Sequence, residues 1–325
     1  EIEVEKGGIE RVRVSDDGHG MDAQDAELAF ERHATSKISD ADDVSKVDTL
    51  GFRGEALPSI ARVARVEMVT KEEDGVGATR VLTGVGVEEA ERDETGRATG
   101  TTVEVTRLFE KTPARRAALS TSKREFRRVS RLVTRYALAL PEVAFTLEHD
   151  GRETLSTSGS GNYLDPLYSV YGRDIASRAT SFSYEDGHVA VKGALVRPSV
   201  TRSETHHVHT AVNGRALDDE TVRNAAVEGY GNLLPKNRYP VAVVCVNVPP
   251  ERVNVNVHPA KKEVCFADED AVRRVVSKGV RDALTNEDLT RRDALDLDAP
   301  VEELESSGDS TFADAEVIGQ FRDLY

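Results

Sequence analysis

The chain has 325 residues, and its 58 Asp and Glu outnumber its 43 Lys and Arg, which gives a formal net charge of −15 at pH 7. This length exceeds one typical domain, so we expect two domains and a tail. A run of about 18 apolar residues is missing, which argues against a membrane span, and the start at Glu1 lacks a basic-then-apolar signal segment. Cys245 and Cys265 do not make a disulfide framework, so we expect a cytoplasmic protein.

The acidic residues are spread along the whole chain, and Lys is scarce beside Arg. This composition resembles the surface adaptation of salt-loving microbes and predicts that stability rises with salt. A uniformly acidic surface also repels polyanions at long range. A nucleic-acid partner would therefore require basic residues gathered on one face.

Hydrophobic periodicity predicts the elements of the first half. Alternating strands at 2–4 and 12–14 are joined by a tight turn at Gly7-Gly8. The further predictions are a helix at 23–33, a polar lid-like loop at 34–50, a helix at 55–66, strands at 66–70 and 78–85, a turn into a further strand at 96–105, a helix at 122–140, and a hairpin at 143–156.

The polar stretch 156–161 is a predicted boundary between one domain at 1–158 and a second at 159–285. The elements predicted beyond it are strands at 188–197, 206–212, 241–248 and 253–257 and helices at 218–229 and 271–284. Residues 286–312 are acidic and are predicted to be a disordered linker. Residues 313–325 are assigned to the start of a third domain.

Three segments between Asp16 and Leu57 carry the parts of a nucleotide site. They are Asp16-Asp17-Gly18-His19-Gly20, Arg32-His33-Ala34-Thr35-Ser36-Lys37 and Leu50-Gly51-Phe52-Arg53-Gly54-Glu55-Ala56-Leu57. Glycine turns let backbone N–H groups approach phosphates, and a helix start offers unpaired N–H groups. Taken alone, the first segment could equally be an ordinary turn.

In this order the segments resemble the MutL family of DNA mismatch repair proteins, which belongs to the GHKL ATPases (gyrase, Hsp90, histidine kinase, MutL). Segments 109–116, 254–261 and 317–321 are also similar to MutL stretches, and the last of them implies that residues 313–325 are the start of a C-terminal dimerisation domain. The resemblance implies an α+β fold. It would comprise a GHKL (Bergerat) ATPase α/β sandwich followed by a ribosomal-protein-S5-like α/β second domain.

The resemblance also implies an ATP site. Asp16 would accept hydrogen bonds from the adenine amino group, and as a partly buried carboxylate it would need that partner. The other residues assigned to ATP binding are Gly18, Gly20, Thr35, Ser36, Lys37, Gly51, Phe52, Arg53, Gly54, Glu55, Ala56, Leu57 and Thr102. In the second domain Lys261 is similar to the lysine that contacts the γ-phosphate, although a plain surface lysine beside Lys262 is the alternative.

One element of the family pattern is missing. GHKL ATPases carry a Glu-x-x-x-Asn helix before the Asp16 motif, with Glu as general base and Asn as Mg²⁺ ligand, yet only fifteen residues precede Asp16 here. No residue of this chain is assigned to either role. We therefore expect slow ATP hydrolysis with Mg²⁺ by a complete protein and no turnover by this chain. A non-hydrolysing scaffold or DNA clamp is the alternative function.

Arginines recur every three to four residues on the 122–140 helix and are candidates for DNA phosphate contacts: Arg124, Arg127, Arg128 and Arg131. Pairing of these arginines with local carboxylates is the alternative. His206, His207 and His209 suggest a metal site but lack a convincing third ligand, so an exposed histidine pair on a strand is the preferred interpretation.

The implied function is that of an ATP-binding matchmaker in DNA mismatch repair. The implied partners are DNA, a MutS-like mismatch-recognition protein, and a second copy. That copy would be held through a C-terminal domain and by ATP-dependent N-terminal contacts. A topoisomerase subunit or a chaperone of the same superfamily is a further alternative, which the Leu50–Leu57 segment disfavours.

Overall fold

The computed structural model describes residues 1–31, 56–254 and 264–286. In the first part of the chain the strands and helices are β1 Ile2–Glu5, β2 Arg11–Asp16, α1 Ala23–Leu28, α2 Ala56–Ala61, β3 Arg65–Lys71, β4 Ala78–Gly84, β5 Glu91–Thr95, β6 Gly100–Thr106, α3 Pro113–Ala117, α4 Ser122–Ala139, β7 Thr146–His149 and β8 Arg152–Ser156. The second part contains α5 Leu164–Tyr171, α6 Arg173–Ala176, β9 Ala179–Asp186, β10 Val189–Val196, β11 Thr201–Arg202, β12 Val208–Val212, β13 Arg215–Leu217, α7 Glu220–Tyr230, β14 Tyr239–Pro240, β15 Ala242–Asn247, β16 Val253–Asn254, β17 Cys265–Phe266 and α8 Glu269–Asn286.

The first sheet has eight strands in the order β5-β4-β3-β6-β2-β1-β7-β8. Its neighbours are antiparallel except β1 and β7, which run parallel. In its centre β6 lies between β2 and β3, so that Asp16 and Thr70 both pair with Thr101. The ends of three strands therefore meet around one residue of β6.

Among the described residues, helices pack on one face of this sheet. Strand alternation places Val4, Met68 and Val81 on that face. Met68 and Val81 pack against Ala26 of α1. At the other end of the sheet, α4 packs Val133 over Val4.

Between these two groups of helices, no described helix covers the centre of the same face. Val14 of β2 lies there and keeps 43 % of its surface exposed, although it is in the middle of a sheet. We call this region, at the ends of β2 and β6, the open strip. It includes Val14, Asp16 and Thr101.

The second sheet is covered on both faces. Its order is β13-β12-β15-β10-β9, with β12 and β15 parallel. On one face Val244 packs with residues of α7 and α8, and the Tyr230 hydroxyl of α7 donates to the Val196 carbonyl at 2.7 Å. On the other face Val243 packs with Leu138 of α4 and Leu167 of α5. Helix α4 thus contributes to the cores of both sheets.

Most predicted elements are confirmed, and the differences have simple causes. Helix α2 ends at Ala61 rather than 66, because Arg65 already belongs to β3. The sequence analysis missed β5, whose five side chains are all exposed and so show no apolar alternation. It also missed β9 and α5. Within the part of the chain that the structure describes, no helix is long and apolar enough to cross a membrane.

Candidate nucleotide-binding site

Asp16 is the last residue of β2, at the open strip. Its Oδ1 accepts hydrogen bonds from the backbone N–H of Gly18 at 3.0 Å and of Thr101 at 3.2 Å. The described residues direct no hydrogen bond at its other oxygen, Oδ2. The expectation of a partly buried carboxylate is wrong, because Asp16 is exposed. One oxygen therefore fixes the carboxylate, and the other remains an acceptor for a ligand.

Two glycines allow the backbone to pass close by. Gly20 has a φ of +68°, and a Cβ there would lie 1.9 Å from the Lys71 carbonyl oxygen. Gly100 has a φ of +120°, and its Cβ would lie 2.2 Å from the Asp16 carbonyl oxygen. Any other residue at these positions would push the turn after β2 away from the sheet. Gly18, the middle glycine of the motif, does not have a positive φ, and its role is the N–H that it donates to Asp16.

A buried threonine joins this turn to the sheet. Thr70 of β3 is fully buried, and its Oγ1 accepts a hydrogen bond from the Met21 N–H at 2.9 Å. The same oxygen lies 3.0 Å from the Thr101 Oγ1. Thr70 was not predicted from the sequence. A signal was present in the sequence, because Thr70 continues the alternation of Val66 and Met68 and so places a hydroxyl on the buried face of β3.

Thr102 lies on the other side of the sheet. Its hydroxyl is 2.9 Å from the Ser15 hydroxyl, and strand alternation turns both away from the Asp16 side chain. The hydroxyl beside Asp16 is that of Thr101, one residue earlier. The Thr102 side chain therefore does not face the Asp16 carboxylate, and the assignment of Thr102 to ATP binding stays a prediction.

Of the remaining assigned residues, Ala56 and Leu57 are described. Ala56 is the first residue of α2 and is exposed, whereas Leu57 packs against the cluster of Ala26, Met68 and Val81. The Leu57 side chain therefore has a structural role here. The following assigned residues lie outside the described ranges: Thr35, Ser36, Lys37, Gly51, Phe52, Arg53, Gly54, Glu55 and Lys261.

The arginines of α4 do not form one uniform exposed face. Arg124 is exposed, and Arg128 pairs with Glu125 at 3.0 Å. Burial and the neighbouring charge of Arg127 lower the pKa of Arg131. Even so, the segment from Arg107 to Arg135 contains ten Lys and Arg and two Glu, in a chain that is acidic as a whole.

The histidine cluster differs from the preferred interpretation. His207 lies in a 3-10 turn and His209 in β12, and both are partly buried. The Tyr171 hydroxyl lies 3.1 Å from His207 Nδ1 and 2.6 Å from His209 Nε2. Burial lowers the pKa of His207 to about 2 and that of His209 to about 3. Both rings are therefore neutral at pH 7. The described side chains hold no group of three or more His, Cys, Asp or Glu that could bind a metal ion.

Comparison with known proteins agrees with this fold. Residues 167–285 match the family model described as DNA mismatch repair protein, C-terminal domain. The chain is 44 % identical over 298 residues to the DNA mismatch repair protein MutL of Halobacterium salinarum, covering 90 % of this chain and 45 % of that protein. It is 42 % identical over 284 residues to the MutL of a Geobacillus species, covering 87 % of this chain and 46 % of that protein. The chain thus spans about half the length of these relatives.

Solved structures confirm the fold class. The N-terminal domain of a DNA repair protein has a TM-score of 0.70 at 24 % identity, covering 89 % of this chain and 90 % of that one. The Aquifex aeolicus MutL ATPase domain complexed with ADP has a TM-score of 0.55 at 22 % identity, covering 85 % and 88 %. The gyrase B subunit of Myxococcus xanthus has a TM-score of 0.56 at 15 % identity, covering 90 % and 86 %. With an α+β fold of the GHKL type and extensive sequence identity to these relatives, the chain belongs to the MutL family of DNA mismatch repair proteins.

Proposed function

We propose that the open strip binds the adenine end of ATP. The observation that carries the proposal is the Asp16 carboxylate, which two backbone N–H groups hold by Oδ1 at the end of β2. Its second oxygen matches the exocyclic amino group of adenine, which guanine replaces with a carbonyl. Gly20 and Gly100 keep the surrounding backbone close to the sheet.

The phosphate end of the nucleotide is assigned to the sequence segments that flank this site. Residues 35–37 and 51–56 would supply hydroxyl, ammonium and backbone N–H donors to phosphate oxygens. Lys261 would contact the γ-phosphate and couple the state of the nucleotide to the second domain. Mg²⁺ would neutralise the phosphates, and this chain offers no assigned ligand to it.

For the complete protein we propose a role in DNA mismatch repair. It would be an ATP-binding, slowly hydrolysing matchmaker that links a MutS-like recognition protein to strand processing and acts as a dimer. Because no residue of this chain is assigned the role of general base, this chain is proposed to bind ATP without turning it over. Its two cysteines, which form no disulfide, favour action in the cytoplasm.

The α4 arginines support a DNA-binding surface. Phosphate contacts from Arg124, Arg127 and Arg128 would give affinity without reading sequence. A triple charge reversal of these residues to Glu is expected to abolish retention of duplex DNA and to leave ATP binding intact. The matched control reverses Arg173, Lys236 and Arg281, three exposed cations on other elements. Equal losses in both triple variants would show that net charge alone, rather than this surface, governs DNA retention.

A non-hydrolysing scaffold or clamp remains the second candidate. A scaffold would bind ATP at the same site as an ATPase. The two candidates differ in whether the complete protein hydrolyses the bound ATP. A full-length protein that carries a Glu-x-x-x-Asn helix and releases phosphate supports the ATPase, whereas one that binds ATP without releasing phosphate supports the scaffold.

The nucleotide site is tested by affinity for two bases. Asp16→Asn replaces one acceptor oxygen with a donor, so affinity for ATP is expected to fall by about tenfold or more, in line with one lost charged hydrogen bond. Affinity for GTP should change little. Asp17→Asn is the matched control, because Asp17 is an adjacent exposed carboxylate. Unchanged ATP affinity in Asp16→Asn would contradict the proposal.

A further inference from the structure

Behind the open strip, the opposite face of the first sheet carries a polar groove of about 410 Å³. Its lining residues are Arg13, Ser15, Glu67, Val69, Thr95, Gly96, Arg97, Thr102 and Glu104. Most come from β2, β3 and β6, at positions that alternate with those of the open strip. Arg97 differs from them, because it belongs to the loop between β5 and β6.

Arg97 reaches the two strands that flank β6. One terminal nitrogen, Nη1, donates to the Val69 carbonyl of β3 at 3.2 Å. The other, Nη2, donates to the Asp16 carbonyl of β2 at 3.1 Å. The planar guanidinium thereby spans both neighbours of β6 at the point where β6 begins, a geometry that a single-point donor does not reproduce.

Three other arginines of this face bind side chains rather than backbone oxygens. Arg11, Arg13 and Arg80 pair with the carboxylates of neighbouring strands at 2.8–3.3 Å. Arg97 forms no ion pair with any described residue, and its charge is directed at backbone oxygens. A charged donor to a backbone carbonyl is a stronger hydrogen bond than a neutral one.

The position of the Asp16 carbonyl affects the Asp16 carboxylate. Asp16 is the terminal residue of β2, and strand ends open more readily than strand centres. Its carboxylate also depends on the N–H of Thr101 across the strands and the N–H of Gly18 in the following turn. If the end of β2 separates from β6, both bonds lose their geometry.

We propose that Arg97 is a positioning residue for base recognition, which holds the Asp16 backbone from behind the sheet so that the carboxylate faces the open strip in one orientation. This inference rests on the proposed nucleotide site and deepens it. Arg97 touches no nucleotide in this account, and it acts on affinity through Asp16. It therefore affects adenine recognition selectively and leaves the contribution of the phosphates in place.

The experiment compares the wild-type chain with Arg97→Ala, Arg97→Lys and the control Arg80→Ala. The control removes an arginine from the same face whose side chain bonds Glu67 and Asp93 and does not reach β2. Amide hydrogen exchange without nucleotide is expected to show lost protection at Gly18 and Thr101 in Arg97→Ala. Arg97→Lys should recover part of that protection, because an ammonium reaches one carbonyl, and Arg80→Ala should match wild type at both amides.

Nucleotide affinity gives the second readout. Arg97→Ala is expected to bind ATP about tenfold more weakly, as for a lost charged hydrogen bond, with GTP affinity unchanged within about twofold. Equal losses for ATP and GTP, or wild-type exchange at Gly18 and Thr101, would overturn the positioning role. A wild-type chain that binds neither nucleotide would overturn the nucleotide site itself. In that case, the comparison of amide hydrogen exchange between wild type and the Arg97 variants still tests whether Arg97 orders the end of β2.

Discussion

The two sheets of this chain are covered in different ways. In the second sheet Val243 and Val244, which face opposite sides, are 1 % and 0 % exposed. In the first sheet Val14 is 43 % exposed on the helix-bearing face, and the opposite face carries ion pairs. The second sheet is thus a core in which side chains are fixed by packing. The first sheet leaves backbone and polar groups accessible, and its open strip is where ligand chemistry is possible.

The largest effect is expected at the edge of the second sheet, from the histidine cluster. The folded-state pKa values of His207 and His209, about 2 and about 3, lie well below their ordinary value of 6.5. The unfolded state therefore binds more protons between these values. The contribution of these histidines to the free energy of unfolding is fully present above about pH 6.5 and is lost as the pH drops. The expected loss is about 2 kcal/mol per histidine between pH 7 and pH 5. Urea unfolding at a series of pH values measures this slope.

The control for this slope is the double variant His207→Asn, His209→Gln. It keeps neutral polar side chains near the Tyr171 hydroxyl and removes the titration. We expect a flatter dependence of stability on pH between 7 and 5. A variant with the same slope as wild type would show that other groups cause it.

The packing of the two sheets can be compared directly by replacing one valine with alanine in each sheet. Val244→Ala removes buried methyl groups and leaves a cavity, so it is expected to destabilise the chain by about 2 kcal/mol. Val14→Ala removes partly exposed methyl groups and should cost less than about 0.5 kcal/mol. Urea denaturation measures both. Similar costs would mean that the open strip is packed as tightly as the core.

Removal of an ion pair from the face of the first sheet opposite the helices should destabilise the chain less than the Val244→Ala truncation. Arg11 pairs with Glu3, Glu5 and Glu104 at 2.9, 2.8 and 3.3 Å. The hydrogen bond to Glu5 is the main cause that raises the pKa of Arg11. Arg11→Gln leaves three carboxylates near one another, and we expect a loss of about 1 kcal/mol at low salt. The loss should shrink in 1 M KCl because salt screens the repulsion; a loss independent of salt would point to packing instead.

Salt should also stabilise the wild-type chain. Its net charge of −15 produces self-repulsion in the compact state, which added ions screen. We expect the thermal midpoint to rise steadily from dilute buffer to molar KCl. A thermal midpoint that does not change with salt concentration would contradict the proposed adaptation to salt. It would not affect the comparison of the two sheets.

The sequence predicted the elements whose periodicity reflects burial. Helices α4 and α8 were predicted because their apolar residues repeat with the period of a covered helix face, and β15 because nearly all of its residues are apolar and buried. The alternation of Val12 and Val14 predicted β2, although Val14 lies at the open strip. Strand β5 was missed because an exposed edge strand carries no such repeat. The Asp16 motif was found by resemblance, since its residues are adjacent in the chain.

The parts of the site that the sequence did not predict depend on contacts between distant residues. Thr70 and Arg97 reach the Asp16 turn from positions about 50 and 80 residues away, and no local pattern marks them. The sequence alone does not say which threonine hydroxyl faces Asp16, because the register between β2 and β6 decides this, and it places Thr101 on that side. One residue of shift moves a side chain to the other face of a sheet.

The most direct test of the open strip as the base site is an NMR titration of the chain with ATP. We expect ATP to shift the Val14 methyl signals and the Gly18 and Thr101 amide signals, while the Val244 methyl signals stay in place. Asp16→Asn should reduce the shifts at the same ATP concentration. Saturating ATP binding that moves signals elsewhere and leaves Val14, Gly18 and Thr101 unchanged would contradict the account.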